Sequence, residues 1–421
     1  MDHFTLTNGA LHAESVALEA IADAVGTPVY VYSHATLERH VRVFREAVAG
    51  AGTGDPLVAF AVKANPNGAV LATMAKAGMG ADVVSAGELL RALAAGIAPE
   101  NIIFSGVGKT REEMALALSH RIGQFNLESE PEAEMLSAVA VEMGLTAAIA
   151  YRVNPDVDAG THAKISTGKS ENKFGIPIDT APAAYARAAA LPGLEVQGVA
   201  VHIGSQLTDL APLETAFAKV GALIATLRAE GHALTIADLG GGLGVPYDPA
   251  LPLPPSPAAY GEMVRRVTAG WDIRLAFEPG RLIVANAGVL LSRVIRVKEG
   301  AVNPWVIVDA AMNDLLRPSL YDAWHDIRAV RPSGASALAN VVGPVCETGD
   351  TFALARPMDS VAADDLIVFM TAGAYGATMA STYNSRALAP EVMVSGDRWA
   401  IVRPRQPLSA LLDAESVPDW V

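Results

Sequence analysis

Between residues 57 and 277 this chain repeats one pattern: a short β-type run, then an Ala- and Leu-rich stretch with helical period. The runs are Leu57–Val62, Ala81–Val84, Asn101–Phe104, Gln124–Leu127, Thr146–Val153, Val196–Ile203, Thr235–Leu239 and Ile273–Phe277. Ala69–Ala77, Gly87–Ala95, Arg111–Ser119 and Pro131–Met143 are among the helical stretches between them, and Pro131 and Pro212 stand where a first helical turn tolerates proline. Such alternation builds a parallel sheet, because neighbouring parallel strands need a crossover and a helix supplies it. Eight repeats over roughly 240 residues is the size of a (β/α)8 barrel. A doubly wound sheet is the alternative. Polar motifs follow nearly every run, however, as a ring-shaped site at the strand C-termini requires, so the barrel is expected.

The pattern changes after Arg281. Ala287–Val297, Trp305–Asp309, Asn340–Val345, Leu366–Met370 and Trp399–Val402 are β-rich, with turn residues rather than long helices between them. Thr27–Tyr32 is also strand-like. The expected division is a barrel over 35–281 and a mostly antiparallel β-rich domain from 1–34 and 282–421. Val245–Pro257 holds six prolines and reads as a semi-rigid loop between the seventh strand and its helix.

Composition narrows the function. Hydrophobic residues make up 51% and charged residues 18%, enough for a large core, while 45 acidic against 31 basic residues give a formal charge of -14. Such a surface repels phosphate backbones and anionic lipid, so neither nucleic acid nor membrane is an expected partner. No apolar run reaches the roughly 18 residues of a membrane span, and Met1-Asp2-His3-Phe4 does not open a signal peptide. The single cysteine, Cys346, excludes an internal disulfide or a multi-thiolate metal site. A soluble cytoplasmic enzyme without a metal is the expectation.

Four strand ends carry chemistry. The first ends in Phe60-Ala-Val-Lys63-Ala-Asn65. A lysine in a partly dry barrel mouth is an amine able to condense with a carbonyl, although a strand-end lysine that merely reaches solvent is the commoner case. The seventh ends in Asp238-Leu-Gly240-Gly241-Gly242-Leu-Gly244, whose glycines let backbone N–H groups approach an anion. Tight turns need glycine too, but barrel phosphate sites use the loops after strands seven and eight. The loop lacks a P-loop lysine and dinucleotide spacing, which disfavours nucleotides. The eighth ends in Glu278-Pro-Gly-Arg281, either an exposed turn with a solvated ion pair or a carboxylate facing a protonated ring nitrogen beside an anion-binding arginine. The sixth ends in His202-Ile-Gly-Ser205-Gln206, where His202 is a satisfied core residue or a flat partner for a planar cofactor, and Ser205 a phosphate ligand.

Taken together, these motifs resemble the fold-type III pyridoxal-phosphate-dependent decarboxylases, and among them the branch acting on meso-2,6-diaminopimelate. The resemblance runs from Thr27 to Arg386 and includes Asp82-Val-Val-Ser-Ala-Gly-Glu-Leu89, Phe104–Thr110, Phe125–Glu130, His162–Gly168 and Lys173-Phe-Gly175. It implies pyridoxal 5'-phosphate as cofactor, held by Lys63, with His202 stacked on the ring and Glu278 paired with the ring nitrogen. Ser205, Gly241, Gly242, Gly280 and Arg281 would bind the phosphate, with Tyr375 near cofactor and substrate.

The C-terminal half would supply specificity and dimer contacts. Arg317 and Tyr321 lie four apart, on one face if that stretch is helical, and with Arg281 would grip the substrate's distal carboxylate. In Cys346-Glu347-Thr348-Gly349-Asp350 the resemblance makes Cys346 the proton donor to the α-carbon and Glu347 a ligand of the distal amino group. Both would be delivered to the neighbouring subunit of a homodimer with shared active sites. Read without the family, Arg317 is a surface charge, Cys346 a small buried hydrophobe and Tyr375 an aromatic in a glycine turn. The implied reaction releases CO2 and L-lysine, the last step of lysine biosynthesis. Ornithine, arginine, lysine or carboxylated polyamine decarboxylases are the alternatives, and the polyamine substrates lack a distal carboxylate for Arg317. A racemase of this fold type would face the ring nitrogen with arginine, not Glu278. A non-catalytic pyridoxal-phosphate carrier would lack the C-terminal β-domain.

Overall fold

The computed structural model describes residues 2–158, 160, 167–168 and 172–421. Most of the His162–Gly168 motif therefore lies outside the described residues. Eight parallel strands follow one another in chain order: Leu57–Ala61, Gly80–Val83, Ile102–Phe104, Gln124–Leu127, Ala147–Asn154, Leu194–Val201, Ile236–Asp238 and Arg274–Phe277. The ring closes where Ala276 and Phe277 of the last strand lie opposite Leu57 and Val58 of the first. The expected barrel is present, and each strand overlaps its expected run.

Local chemistry explains the helices between them. Ser85, Thr110, Ser129 and Ser256 each accept a backbone N–H at a helix start, and Thr110 forms a reciprocal capping box with Glu113. Pro131 and Pro257 occupy first turns, where their missing N–H costs nothing. The helix Glu130–Met143 stops at Gly144, whose left-handed φ of 66° a residue with a side chain adopts reluctantly. Apolar strand residues fill the barrel, with Phe104 and Phe125 stacked at 6.2 Å. Asp82, Gln124, Asn126 and Asp238 are buried polar exceptions.

The chain folds as two compact units, one of Arg39–Val245 with Leu253–Leu282, the other of Met1–Glu38 with Pro246–Pro252 and Ile283–Val421. The second unit is built on a largely antiparallel sheet in the order Thr351–Asp359, Ser336–Val342, Trp305–Val308, Gly288–Lys298, Val29–Ser33, Glu391–Ser395, Arg398–Arg403. Val29–Ser33 runs antiparallel to Gly288–Lys298 and parallel to Glu391–Ser395. Val31, Val289, Leu291, Val368, Val392 and Val394 form the middle of its core. Two expectations need correction. The strand read as Asn340–Val345 is Ser336–Val342, because Gly343-Pro344 interrupts the ladder. The strands Thr351–Asp359 and Glu391–Ser395 and the small meander Phe4–Thr7, Ala10–Ala13, Val16–Ala17 are additional to those expected.

Candidate active site

Lys63 sits on the 3-10 turn Val62–Ala64 that follows the first strand. Its ammonium donates to Asp82 Oδ2 at 2.5 Å; the Lys63 side chain is 40% exposed and the Asp82 side chain 0%. Lys63 is therefore ion-paired and partly exposed, a wetter setting than its position suggested. Asp82 Oδ1 is buried without a hydrogen-bond partner among the described residues. A buried carboxylate left half satisfied in a barrel mouth marks a place built to meet another polar group.

Glu278, at the end of the eighth strand, belongs to a second cluster. Its carboxylate accepts from Ser105 Oγ at 3.3 Å and Asn126 Nδ2 at 3.4 Å. Asn126 also donates to Asp238 Oδ2 at 2.8 Å, and Asp238 Oδ1 accepts the Gly240 N–H at 2.9 Å. Burial, then the Asp238 and Asp82 carboxylates, hold the Glu278 carboxyl well above its ordinary range. Burial raises Asp238 as well. Like charges this close cannot both ionise cheaply, so the buried pair favours its protonated form.

The loops after strands six, seven and eight meet through backbone. Glu278 N–H donates to Gly240 O at 2.7 Å, Leu207 N–H to Gly242 O at 2.9 Å, and Gln206 exchanges side-chain bonds with the Val245 backbone. A Cβ on Gly241 would stand 2.3 Å from Glu278 O, and one on Gly242, whose φ is +118°, 2.6 Å from Gly204 O. Only glycine allows that approach. His202 Nδ1 accepts the Gly241 N–H at 3.3 Å. Burial, with the Arg152 and Lys63 charges, pushes its pKa well below the usual histidine value, so the ring is neutral. Arg281 is buried and donates through Nη2 to Ser205 Oγ at 3.0 Å. Thus Lys63, His202, Ser205, Gly241, Gly242, Glu278, Gly280 and Arg281 all follow the C-terminal ends of the first, sixth, seventh and eighth strands, at one end of the barrel.

Sequence reading assigned no role to Asp238, Ser105, Asn126, Glu128 or Arg152. Arg152 donates to Glu128 at 3.0 Å and to the His202 carbonyl at 3.2 Å, while its guanidinium lies 4.7 Å from the Phe174 ring centre. Glu128 also accepts the Gly175 N–H at 2.7 Å, which ties the Lys173-Phe-Gly175 motif to the barrel. The available signal was a polar residue inside or at the end of an otherwise apolar strand, visible at Asp82, Asn126, Arg152 and Asp238 alike.

The second unit carries the other expected residues. Arg317–Tyr321 is a single helical turn that places both residues on one face. Arg317 is buried, against the reading of a surface charge. Ser319 Oγ donates to Gly349 O at 2.6 Å, which holds this turn beside the Cys346–Asp350 loop. Cys346 is exposed, against the reading of a buried hydrophobe. Glu347 is also exposed and accepts from Tyr383 Oη at 2.9 Å. Asp350 is buried and accepts the N–H groups of Met312 at 2.6 Å and Val345 at 2.7 Å, fixing the loop's return. Tyr375, half-buried, adopts a left-handed φ of 56°.

The barrel's residues suit pyridoxal phosphate: a primary amine, a buried carboxyl at a strand end, a neutral imidazole face, and a glycine cradle with serine and arginine. The sequence pattern of the pyridoxal-dependent decarboxylase pyridoxal-binding domain matches residues 34–285. The chain is 58% identical to diaminopimelate decarboxylase of Zymomonas mobilis over 99% of both chains, and 50% identical to that of Pseudomonas aeruginosa, again over 99% of both. Its fold is similar to the crystal structure of diaminopimelate decarboxylase from M. jannaschii in co-complex with L-lysine (TM-score 0.94, 34% identity, 99% and 98% coverage). It is also similar to the Helicobacter pylori diaminopimelate decarboxylase complexed with L-lysine (TM-score 0.90, 39% identity, 94% and 98% coverage). The chain belongs to the pyridoxal-dependent decarboxylases and, within them, to the diaminopimelate decarboxylase family.

Proposed function

We propose that this carboxy-lyase converts meso-2,6-diaminopimelate to L-lysine and CO2, the last step of lysine biosynthesis. The observation that carries the reading is the presence, in one barrel mouth, of the Lys63–Asp82 ion pair and of the buried Glu278 carboxyl held by Ser105 and Asn126. Pyridoxal phosphate, when bound, supplies the electron sink for the pair left behind by departing CO2. Lys63 would hold the cofactor, and Asp82 orients the lysine. Glu278 would face the ring nitrogen, with Asn126 and Asp238 fixing its direction. His202, neutral, would offer the ring an uncharged plane. Ser205, Gly241, Gly242, Gly280 and Arg281 bind the phosphate, aided by Tyr375.

Arg317, Tyr321, Glu347, Arg281 and Tyr375 hold the distal L-centre, so that binding energy remote from the reacting carbon favours loss of the D-end carboxylate. Cys346 returns a proton to the α-carbon. Exposure of Cys346 and Glu347 supports their delivery to a neighbouring subunit, in a cytoplasmic homodimer with shared sites. Among the described residues no helix is long and apolar enough to cross a membrane.

The test is CO2 release by the purified holoenzyme from meso- and L,L-diaminopimelate, D- and L-lysine, L-ornithine and L-arginine. Release from the meso compound alone, with L-lysine as product, is expected. Preference for ornithine, arginine or lysine would leave Lys63 and Glu278 in place but remove the roles given to Arg317 and Glu347.

A further inference from the structure

The proline-rich segment 246–252 puts Tyr247 where the chemistry of the barrel strands has no use for it. The Tyr247 ring faces the Arg317 guanidinium at 4.4 Å and meets the His325 ring edge-on at 5.4 Å and 75°. His325 is 2% exposed, and its Nε2 lies 2.8 Å from Arg317 Nη1. Its other nitrogen, Nδ1, lies 2.9 Å from the Met370 carbonyl oxygen. A carbonyl only accepts and a guanidinium only donates, so the two contacts require the same arrangement: Nδ1 carries the hydrogen and Nε2 offers its lone pair. The backbone of His325 is fixed as well, because its carbonyl accepts from Arg356 Nη1 at 2.7 Å.

We infer that His325 and Tyr247 are positioning residues for Arg317, a specificity-setting clamp that orients its guanidinium without neutralising it. The inference rests on Arg317 being the group that receives the substrate's distal carboxylate. A carboxylate in the place of His325 would orient Arg317 equally well, but it would also cancel much of the charge the substrate needs. A neutral imidazole takes up one N–H without adding a counter-charge of its own. The aromatic face of Tyr247 supports the cation from a second direction while supplying no anion. Pro246 and Pro249, on either side of Tyr247-Asp248, restrict the backbone and lower the cost of holding the ring there.

Two isosteric halves of histidine separate orientation from packing. In the holoenzyme, His325→Gln keeps an acceptor near the Nε2 position, whereas His325→Asn keeps the donor to Met370 O and loses that acceptor. We expect kcat/KM for meso-diaminopimelate to fall about tenfold or more in H325N, and to stay within about threefold of the parent in H325Q. In an Arg317→Ala background the Asn substitution should add less than about twofold, because its effect passes through that arginine. Tyr247→Leu, with Tyr247→Phe as the conservative variant, provides the same comparison if the His325 variants fail to fold. There Leu should lower kcat/KM several-fold, Phe should restore it, and Arg317→Ala should absorb the loss. Equal losses in the paired variants, or losses that multiply in the Arg317→Ala background, would overturn the clamp. If Arg317→Ala itself leaves kcat/KM unchanged, the reading of Arg317 is wrong. If R317A is impaired while H325N is not, the clamp alone is wrong.

Discussion

Glu278 shows how one residue's chemistry is set by neighbours far away in sequence. Ser105, Asn126 and Asp238 come from three other strand ends, and the raised pKa of Glu278 depends on its burial beside Asp238 and Asp82. Glutamine preserves its size but cannot share a proton with Asp238. E278Q should keep the visible absorbance of lysine-bound cofactor and lose at least about a hundredfold in kcat, read by single-turnover CO2 release. Loss of the absorbance together with kcat would place Glu278 in cofactor retention instead. Asp314 permits a cleaner pH experiment. Burial pushes its carboxyl from 3.8 up to about 6. Because the folded-state value is raised, the fold is favoured with the proton on, and that contribution fades as pH rises from about 4 through about 6. Relative to Asp314→Asn, the parent's unfolding free energy should fall by up to about 3 kcal/mol between pH 4 and pH 7. A pH-independent difference would show that Asp314 ionises normally.

At the scale of elements, the loops depend on buried contacts that composition does not reveal. Lys109 opens the turn before the helix Arg111–Ser119, yet its side chain is 1% exposed and pairs with Glu132 at 2.6 Å. Lys109 also donates to Gly106 O at 2.8 Å and Asn126 O at 2.6 Å, tying its loop to the fourth barrel strand. Lys109→Met strands Glu132 as an unpaired buried charge and should cost about 3–5 kcal/mol in urea unfolding. Adding Glu132→Leu should recover part of that loss, and no recovery would point to Lys109's carbonyl contacts as its main contribution. Gly241 belongs to the same scale, since a methyl group there must push apart the loops after strands seven and eight. Gly241→Ala should weaken pyridoxal phosphate binding about tenfold or more by equilibrium titration, while the barrel stays folded. Unchanged affinity would remove this loop from the phosphate site.

For the whole molecule, the proposed homodimer with shared sites has a direct test. Cys346 and Glu347 are exposed on a loop whose return is fixed by Asp350, so their presentation is built in while their target is not on that loop. If each site takes Lys63 from one chain and Cys346 from the other, a Lys63→Ala chain and a Cys346→Ala chain should complement. Equal mixing leaves half the dimers hybrid, each with one intact site, so activity should return to about a quarter of the parent's. Continued inactivity after subunit exchange has been demonstrated by mass would exclude shared sites.

By itself the sequence determined the barrel, because eight apolar runs with helical stretches between them leave few other ways to bury both faces of a parallel sheet. It also exposed the residues at strand ends, since Lys63, His202, Glu278 and the glycines after Asp238 interrupt apolar runs. The edge strand Thr351–Asp359, which contains Pro357, and the short Glu391–Ser395 have weak local patterns and owe their state to their partners in the sheet. Tertiary structure alone decided the electrostatics. The raised pKa of Glu278, the neutrality of His202, the pairing of Lys63 with Asp82 and the lone pair His325 turns toward Arg317 all arise between residues distant in the chain or from desolvation. Neither proximity nor burial is written in the order of residues, and both set the charge a side chain carries.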